Sequence, residues 1–193
     1  MYMKDTKVIN LYGGPGCGKS TGAAHIFSEL KLCGISCELV TEFAKDCVWD
    51  NSVDLLNDQL LVTAQQWHRV DRLLGKVDYI ITDSPILIGL AYIAPRSYYS
   101  ASLSELILNL HRSVKTMDVF IKRVKKYSMV GRIQTETEAK EKDVILKEIF
   151  EKHTNLSSQF YIIGDEDGYN AVIDEILLNH KGSHHRQQSI YEW

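Results

Sequence analysis

The chain has 193 residues, of which 45% are hydrophobic and 24% charged, a balance typical of a single soluble globular domain. Its formal net charge of −3 excludes the strong overall positive charge of many nucleic-acid-binding proteins, although a local basic patch remains open. The sequence has no apolar run long enough to span a bilayer and no secretory signal at its N-terminus. We therefore expect a cytoplasmic protein without a membrane partner.

Short apolar runs alternate with segments of helical spacing along the chain. Strands are predicted over Lys7–Tyr12, 35–40, 77–82, 117–121 and Gln159–Ile163. Helices are predicted over Lys19–Leu32, 54–74, 103–114, 139–153 and 169–178. Strands that alternate with helices favour right-handed crossovers, so we expect an α/β fold with a mostly parallel five-stranded sheet and helices on both faces. Residues 1–180 would form one domain, and residues 181–193 a polar, flexible tail.

The first predicted strand continues into the stretch GGPGCGKST, which fits the phosphate-binding pattern Gly-x-x-x-x-Gly-Lys-Ser. The stretch lies between a predicted strand and a predicted helix, which is the context that such a loop requires. Glycines allow close approach of the backbone, and successive N–H groups can surround an anion at the positive end of the helix. The predicted nucleotide-binding residues are Gly13, Gly14, Pro15, Gly16, Cys17, Gly18, Lys19, Ser20 and Thr21.

Within this loop, the Lys19 ammonium is predicted to bind the β- and γ-phosphates of ATP, and the Ser20 hydroxyl to bind Mg²⁺. Asp83 directly follows the third predicted strand. Because ligands collect at the carboxyl ends of parallel strands, we expect Asp83 in the same crevice, acting on the metal. The alternative is an aspartate that only starts the turn before Ser84-Pro85.

The second predicted strand also leads into a carboxylate, that of Glu42 in the stretch ELVTEFAKD. A carboxylate at this place can accept the proton of an incoming hydroxyl group as phosphoryl transfer proceeds. The alternative is a charge that only stabilises the positive end of a following helix.

A basic segment follows the fourth predicted strand, where a lid would cover bound phosphates. Arginine side chains there can stabilise the charge on a transferring phosphoryl group, and we predict this role for Arg123 and Arg132. The alternative is a solvated charged surface. The basic residues of the segment are Lys122, Arg123, Lys125, Lys126 and Arg132.

The predicted helix 54–74 carries Gln65, Arg69 and Arg72 on one face. This face could bind the phosphate or the base edge of an acceptor, or it could only be solvated. Phe43 and Trp49 could stack on a base or pack in the core.

Four stretches, LYGGPGCGKST, LVTEFAKD, VDYIITDSP and GRIQTETEA, resemble in that order the small nucleotide kinases of tailed phages, in the thymidylate-kinase-like branch of P-loop kinases. The resemblance covers nearly the whole chain up to about residue 178. The stretch EFAK at residues 42–45 also resembles nicotinamide riboside kinases. Thymidylate kinases typically carry an Asp-Arg pair near the acceptor phosphate, whereas this chain has Thr41-Glu42-Phe43, which favours a neutral hydroxyl acceptor.

The resemblance implies a P-loop kinase fold, with ATP and Mg²⁺ as cofactors. It also implies transfer of the γ-phosphate to a hydroxyl group of a pyrimidine-type acceptor. Some members of the phage group phosphorylate 5-hydroxymethyluracil already built into DNA, as a step in thymidine hypermodification. Such an enzyme would act in the cytoplasm of the host cell. Two alternatives stay open: a kinase for free deoxynucleoside monophosphates or nucleosides, and an ATP-binding switch or ATPase module.

Overall fold

The computed structural model describes residues 5–94, 98–124, 127–128 and 135–188. Five parallel strands form one sheet in the order β2-β3-β1-β4-β5, which confirms the predicted α/β class and parallel sheet. The strands are β1 (Lys7–Tyr12), β2 (Cys37–Val40), β3 (Tyr79–Thr82), β4 (Lys115–Lys122) and β5 (Gln159–Ile163).

Helices connect the strands. They are α1 (Lys19–Leu32), α2 (Phe43–Trp49), α3 (Gln59–Asp71), α4 (Ser100–Arg112), α5 (Glu136–His153) and α6 (Glu166–Gln188). Short 3₁₀ helices cover Val53–Asn57, Ile86–Tyr92 and Leu156–Ser158. Among the helices of these described ranges, none has both the length and the apolar character needed to cross a bilayer.

The central strand, β1, separates two faces of the sheet. Ile9 and Leu11 on β1 belong to the buried cluster that includes residues of α1 and α6. Val8 and Tyr12 point the other way, into clusters formed with α3, α4 and α5. This alternation follows from the two-residue period of a strand, and it confirms that helices cover both faces.

The order of the strands places a topological switch at β1. The chain first builds β2 and β3 on one side of β1, and then β4 and β5 on the other side. In open parallel sheets, ligands bind in the crevice beyond the carboxyl ends of the strands at such a switch. A ligand site is therefore expected among the segments that follow β1, β2 and β3.

Several element boundaries differ from the prediction for local reasons. Helix α3 begins at Gln59 rather than residue 54, because the Asp58 carboxylate accepts hydrogen bonds from the N–H groups of Leu60 and Leu61. Helix α5 begins earlier than predicted, at Glu136, because Thr135 and Glu138 form a capping box. The prediction also lacks the short helix α2.

The last helix, predicted over residues 169–178, is longer than expected: α6 begins at Glu166 and continues to Gln188, whereas the flexibility of the tail stays a prediction. Gly182 lies inside this helix, and a single glycine weakens a helix without ending it. Residues 189–193 lie outside the described residues.

Replacing Gly22 by alanine should destabilise the protein. A Cβ atom at Gly22 of α1 would lie 2.5 Å from the Cε1 atom of Tyr169 on α6. Glycine-to-alanine changes inside helices usually stabilise by about 0.5–1 kcal/mol, but overpacking typically costs about 1–3 kcal/mol. Denaturant titration should therefore show a lower free energy of unfolding for Gly22→Ala.

The matched control is Ser28→Ala at an exposed position of the same helix, where the free energy of unfolding should stay close to that of the parent. A Gly22→Ala variant as stable as this control would contradict the packing between α1 and α6.

Candidate functional site

The loop of residues 13–18, called the glycine loop below, joins β1 to α1 through left-handed backbone conformations. Gly13, Gly16 and Gly18 have φ angles of 135°, 81° and 111°. Gly18 is the N-cap of α1, and no side chain of the described residues caps this helix. The first-turn N–H groups of α1 are therefore left for another acceptor, and the positive end of a helix favours an anion.

Two buried side chains hold the glycine loop in place. Cys17 is fully buried in the cluster that includes residues of α1 and α6, and a Cβ atom at Gly13 would lie 2.6 Å from its Sγ atom. Tyr169 of α6 donates a hydrogen bond to the carbonyl of Gly18 at 3.0 Å. The last two residues of the loop are thus anchored to the core. Glycine is required at position 13 by this packing as well as by its φ angle.

The Lys19 ammonium lies across the loop. It donates hydrogen bonds to the carbonyl oxygens of Gly13 at 2.6 Å and Gly14 at 3.0 Å. Ser20 and Thr21 follow in the first turn of α1, and both are exposed. The cation and the two hydroxyl groups therefore lie within three consecutive residues at the N-terminus of α1.

Asp83 directly follows β3, which pairs with β1 in a register that sets Asn10 beside Thr82. Its side chain is only 3% exposed, and its Oδ1 atom has no hydrogen-bond partner among the described residues. The turn that follows is held by a hydrogen bond from the Ser84 N–H to the Thr82 hydroxyl. A buried carboxylate oxygen without a donor is costly, and a bound cation or water would remove that cost.

The chemistry of Ser20 and Asp83 fits Mg²⁺, which commonly keeps several waters and takes only one or two carboxylates from the protein. Within the described part of the chain, no cluster of three or more His, Cys, Asp or Glu side chains could hold a metal ion. A metal at this place would therefore depend on the hydroxyl, the carboxylate, waters and a bound phosphate.

Glu42 is the N-cap residue of α2, directly after the short link from β2, and its backbone is extended (φ −69°, ψ 123°). Since β2 pairs with β3, with Val40 beside Thr82, Glu42 and Asp83 both lie just beyond the same level of the sheet. The pKa of Tyr92 is raised to about 12 by burial and, second, by the negative charge of Glu42. The negative charge of Glu42 therefore acts on the Tyr92 hydroxyl group.

Arg123, at the end of β4, lies against the outer side of the glycine loop. Its Nη1 atom donates to the Pro15 carbonyl at 2.7 Å, and its Nε atom donates to the Asp143 carboxylate at 2.9 Å. Asp143 of α5 also accepts a hydrogen bond from the Gly14 N–H at 2.6 Å. Arg123 therefore supports the loop through main-chain and carboxylate contacts. Lys125, Lys126 and Arg132 lie outside the described residues.

The three residues predicted on one face of α3, Gln65, Arg69 and Arg72, have different surroundings in the structure. Arg69 forms an ion pair with Asp46 and covers the ring of Phe43, with 5.4 Å between its Cζ atom and the ring centroid. Gln65 and Arg72 are exposed. Trp49 at the end of α2 is 60% exposed, whereas Phe43 is half-buried.

Sequence reasoning missed a buried polar cluster below the glycine loop. Asp118 on β4 is fully buried and accepts hydrogen bonds from Asn10 at 2.9 Å, Tyr12 at 3.1 Å and Thr116 at 2.7 Å. The sequence does carry a signal for this cluster. Asn10 and Asp118 are polar residues in the middle of strands that are otherwise mostly apolar. Because Tyr12 directly precedes Gly13, this cluster fixes the start of the loop.

Asp143 and Gln66 were also missed. Asp143 lies in a polar stretch of α5 that reads as solvated surface, and nothing in the sequence distinguishes it. Gln66 has a signal: it is a polar residue at a position where the helical period of α3 predicts burial, between Thr63 and Val70.

The chain matches no protein-family model, and it matches no curated protein sequence. Its functional interpretation therefore depends on the glycine loop, on the carboxylates that follow β2 and β3, and on the contacts around them.

The buried cluster around Asp118 should make stability depend on pH. Burial lowers the pKa of His111, and Asp118 opposes this shift only in part. The folded protein then binds fewer protons than the unfolded chain at and below the usual histidine pKa of about 6.5, so the free energy of unfolding should fall as the pH falls through this range.

The measurement is denaturant unfolding between about pH 7.5 and pH 5. His111→Gln should reduce the slope of stability against pH, whereas His68→Gln, at an exposed position, should keep the parental slope. An unchanged slope in His111→Gln would show that His111 is not the source of this pH dependence.

Proposed function

We propose that the protein is a P-loop kinase that transfers the γ-phosphate of ATP to a hydroxyl group of a pyrimidine-type acceptor, with 5-hydroxymethyluracil in phage DNA as the leading acceptor. One observation carries the proposal. The N-terminus of α1, without a capping side chain among the described residues, follows a loop with three left-handed glycines, and the strand next to β1 leads into a buried carboxylate with an oxygen that lacks a donor among those residues. This combination is suited to a triphosphate with a divalent cation.

On the donor side, the loop amides and the Lys19 ammonium would hold the β- and γ-phosphates. Lys19 would exchange the carbonyls of Gly13 and Gly14 for phosphate oxygens. Ser20 and Asp83 would hold Mg²⁺, which neutralises charge on the phosphates when it is bound. Arg123 would keep the loop in shape from outside, while a direct contact of Arg132 with phosphate stays a prediction.

On the acceptor side, the hydroxyl oxygen would attack the γ-phosphorus in line with the leaving ADP. The new oxygen–phosphorus bond forms as the bond from the γ-phosphorus to the β–γ bridging oxygen breaks, and the hydroxyl proton passes to the Glu42 carboxylate. If the acceptor is a base in DNA, it must leave the helical stack, at a cost of about a few kcal/mol.

A free nucleoside or nucleotide is the second candidate acceptor, and the charge around α2 favours the nucleoside, which carries no phosphate. The segment from α2 to the start of α3 is acidic, which disfavours a DNA backbone on this side of Glu42. Its carboxylates are those of Asp46, Asp50, Asp54 and Asp58.

The test is incubation with γ-labelled ATP, Mg²⁺ and one acceptor at a time. The acceptors are duplex DNA containing 5-hydroxymethyluracil, the same DNA with thymine, 5-hydroxymethyldeoxyuridine and thymidine monophosphate. The proposal predicts label on the hydroxymethyl DNA and none on thymine DNA. Lys19→Ala should abolish transfer while the unfolding transition stays cooperative. Label on free nucleosides or nucleotides alone would select the second candidate, and ATP hydrolysis without any acceptor label would indicate an ATPase module.

Glu42→Gln should lower kcat by roughly 10²–10⁴-fold, because the amide cannot accept the hydroxyl proton. The affinity for ATP should stay near the parental value, since Glu42 acts on the acceptor. Initial rates and equilibrium binding of ATP measure the two effects.

Glu38→Gln on β2 is the matched control, because Glu38 forms an exposed ion pair with Lys31, far from any role proposed here. Its kcat should remain near the parental value. An equal loss of ATP affinity in Glu42→Gln would instead indicate a role on the donor side.

A further inference from the structure

We infer that Gln66 of α3 is a positioning residue that sets the direction of the Glu42 carboxylate. The inference rests on the proposed function, in which Glu42 accepts the proton of the acceptor hydroxyl group.

The Gln66 amide binds the main chain on both sides of Glu42. Its Oε1 atom accepts a hydrogen bond from the Phe43 N–H at 2.9 Å. Its Nε2 atom donates a hydrogen bond to the Thr41 carbonyl oxygen at 3.3 Å. One side chain therefore contacts both peptide groups that flank the Cα atom of Glu42.

These two contacts have a definite geometric consequence. The Thr41 carbonyl belongs to the peptide plane before Glu42, and the Phe43 N–H belongs to the plane after it. The angles φ and ψ of Glu42 are the rotations that relate these two planes to its Cα atom. Holding both planes holds φ and ψ, and with them the direction in which the side chain leaves the backbone.

The burial of Gln66 supports a specific role. It is 5% exposed, in the buried stripe of α3 that also contains Thr63 and Val70. A buried amide is costly unless its donor and acceptor are both satisfied, and here the backbone around Glu42 satisfies one of each. The neighbouring Gln65 is exposed, which makes it a matched control of the same residue type.

A second side chain of α3 strengthens one of the two contacts. Arg69 donates to the Thr41 carbonyl at 3.3 Å and forms an ion pair with Asp46 of α2. Arg69 thus fixes the same link between β2 and α2, but the Phe43 N–H is bonded to Gln66. Loss of Gln66 should therefore free the peptide after Glu42 even when Arg69 remains.

The experiment compares Gln66→Leu, which removes both contacts, Gln66→Glu, which keeps the acceptor for the Phe43 N–H, and the control Gln65→Leu. Gln66→Leu should lower kcat by about 10–100-fold, since a misplaced catalytic group can cost about 10²-fold in rate, while ATP affinity stays within about twofold. Gln66→Glu should lie between Gln66→Leu and the parent. Gln65→Leu leaves both contacts of Gln66 in place, so it is the control for folding and for the exchange of the Phe43 N–H rather than for kcat.

Two further readouts separate positioning from a general loss of structure. In a Glu42→Gln background, Gln66→Leu should have almost no additional effect on kcat, because there is no longer a base to position. Amide hydrogen exchange of the Phe43 N–H should be faster in Gln66→Leu and parental in Gln65→Leu and Gln66→Glu. If Gln66→Leu fails to fold, kcat of Gln66→Glu is compared in the parental and the Glu42→Gln backgrounds instead. Gln66→Glu should then lower kcat in the parental background and have almost no effect in the Glu42→Gln background.

Parental kcat in Gln66→Leu, unchanged exchange of the Phe43 N–H, or a full additional loss in the Glu42→Gln background would each overturn the inference. The proposed function fails separately, when the parent protein transfers phosphate to no acceptor, and the positioning role then falls with it.

Discussion

The chain passes from β1 to α1 through three glycines with positive φ angles, and the rest of the site is arranged around that passage. Cys17 in the core and the Tyr169 hydroxyl on the Gly18 carbonyl hold the loop from one face of the sheet. Asp143 and Arg123 hold its outer side. These anchors leave the N-terminus of α1 without a capping side chain among the described residues, so an anion can satisfy the N–H groups there.

The parallel sheet places the two carboxylates relative to this loop. Because β3 lies between β1 and β2 and all three run in the same direction, the segments after them emerge at one edge. Asp83 is buried there, whereas Glu42 is half-buried at the start of α2. The two acids therefore have different surroundings, and the Asp83 Oδ1 atom has no hydrogen-bond partner among the described residues.

Local patterns predicted most of the fold. The sequence predicts the bounds of β1, α1 and β5 to the residue, because apolar runs, glycines and helical spacing agree there. Capping by Asp58 and by Thr135 with Glu138 moved the starts of α3 and α5, since single side-chain hydrogen bonds decide where a helix begins. The short α2 and the long α6 were missed because seven polar and apolar residues in mixed order, or a polar stretch with one glycine, carry little periodic signal.

For the candidate site too, local patterns were predictable and contacts between distant segments were not. A motif with fixed spacing identifies the glycine loop, but the contact of Gly14 with the distant Asp143 leaves no mark in a single sequence. The helical period predicts that Gln66 is buried, but it does not predict that Gln66 binds the main chain around Glu42. The most direct test of the account is a crystal structure with a non-hydrolysable ATP analogue and Mg²⁺. The account predicts phosphate oxygens bonded to the amides at the start of α1, with the Lys19 ammonium moved from the loop carbonyls to the phosphates. A triphosphate bound elsewhere, with Lys19 still on the carbonyls of Gly13 and Gly14, would contradict it.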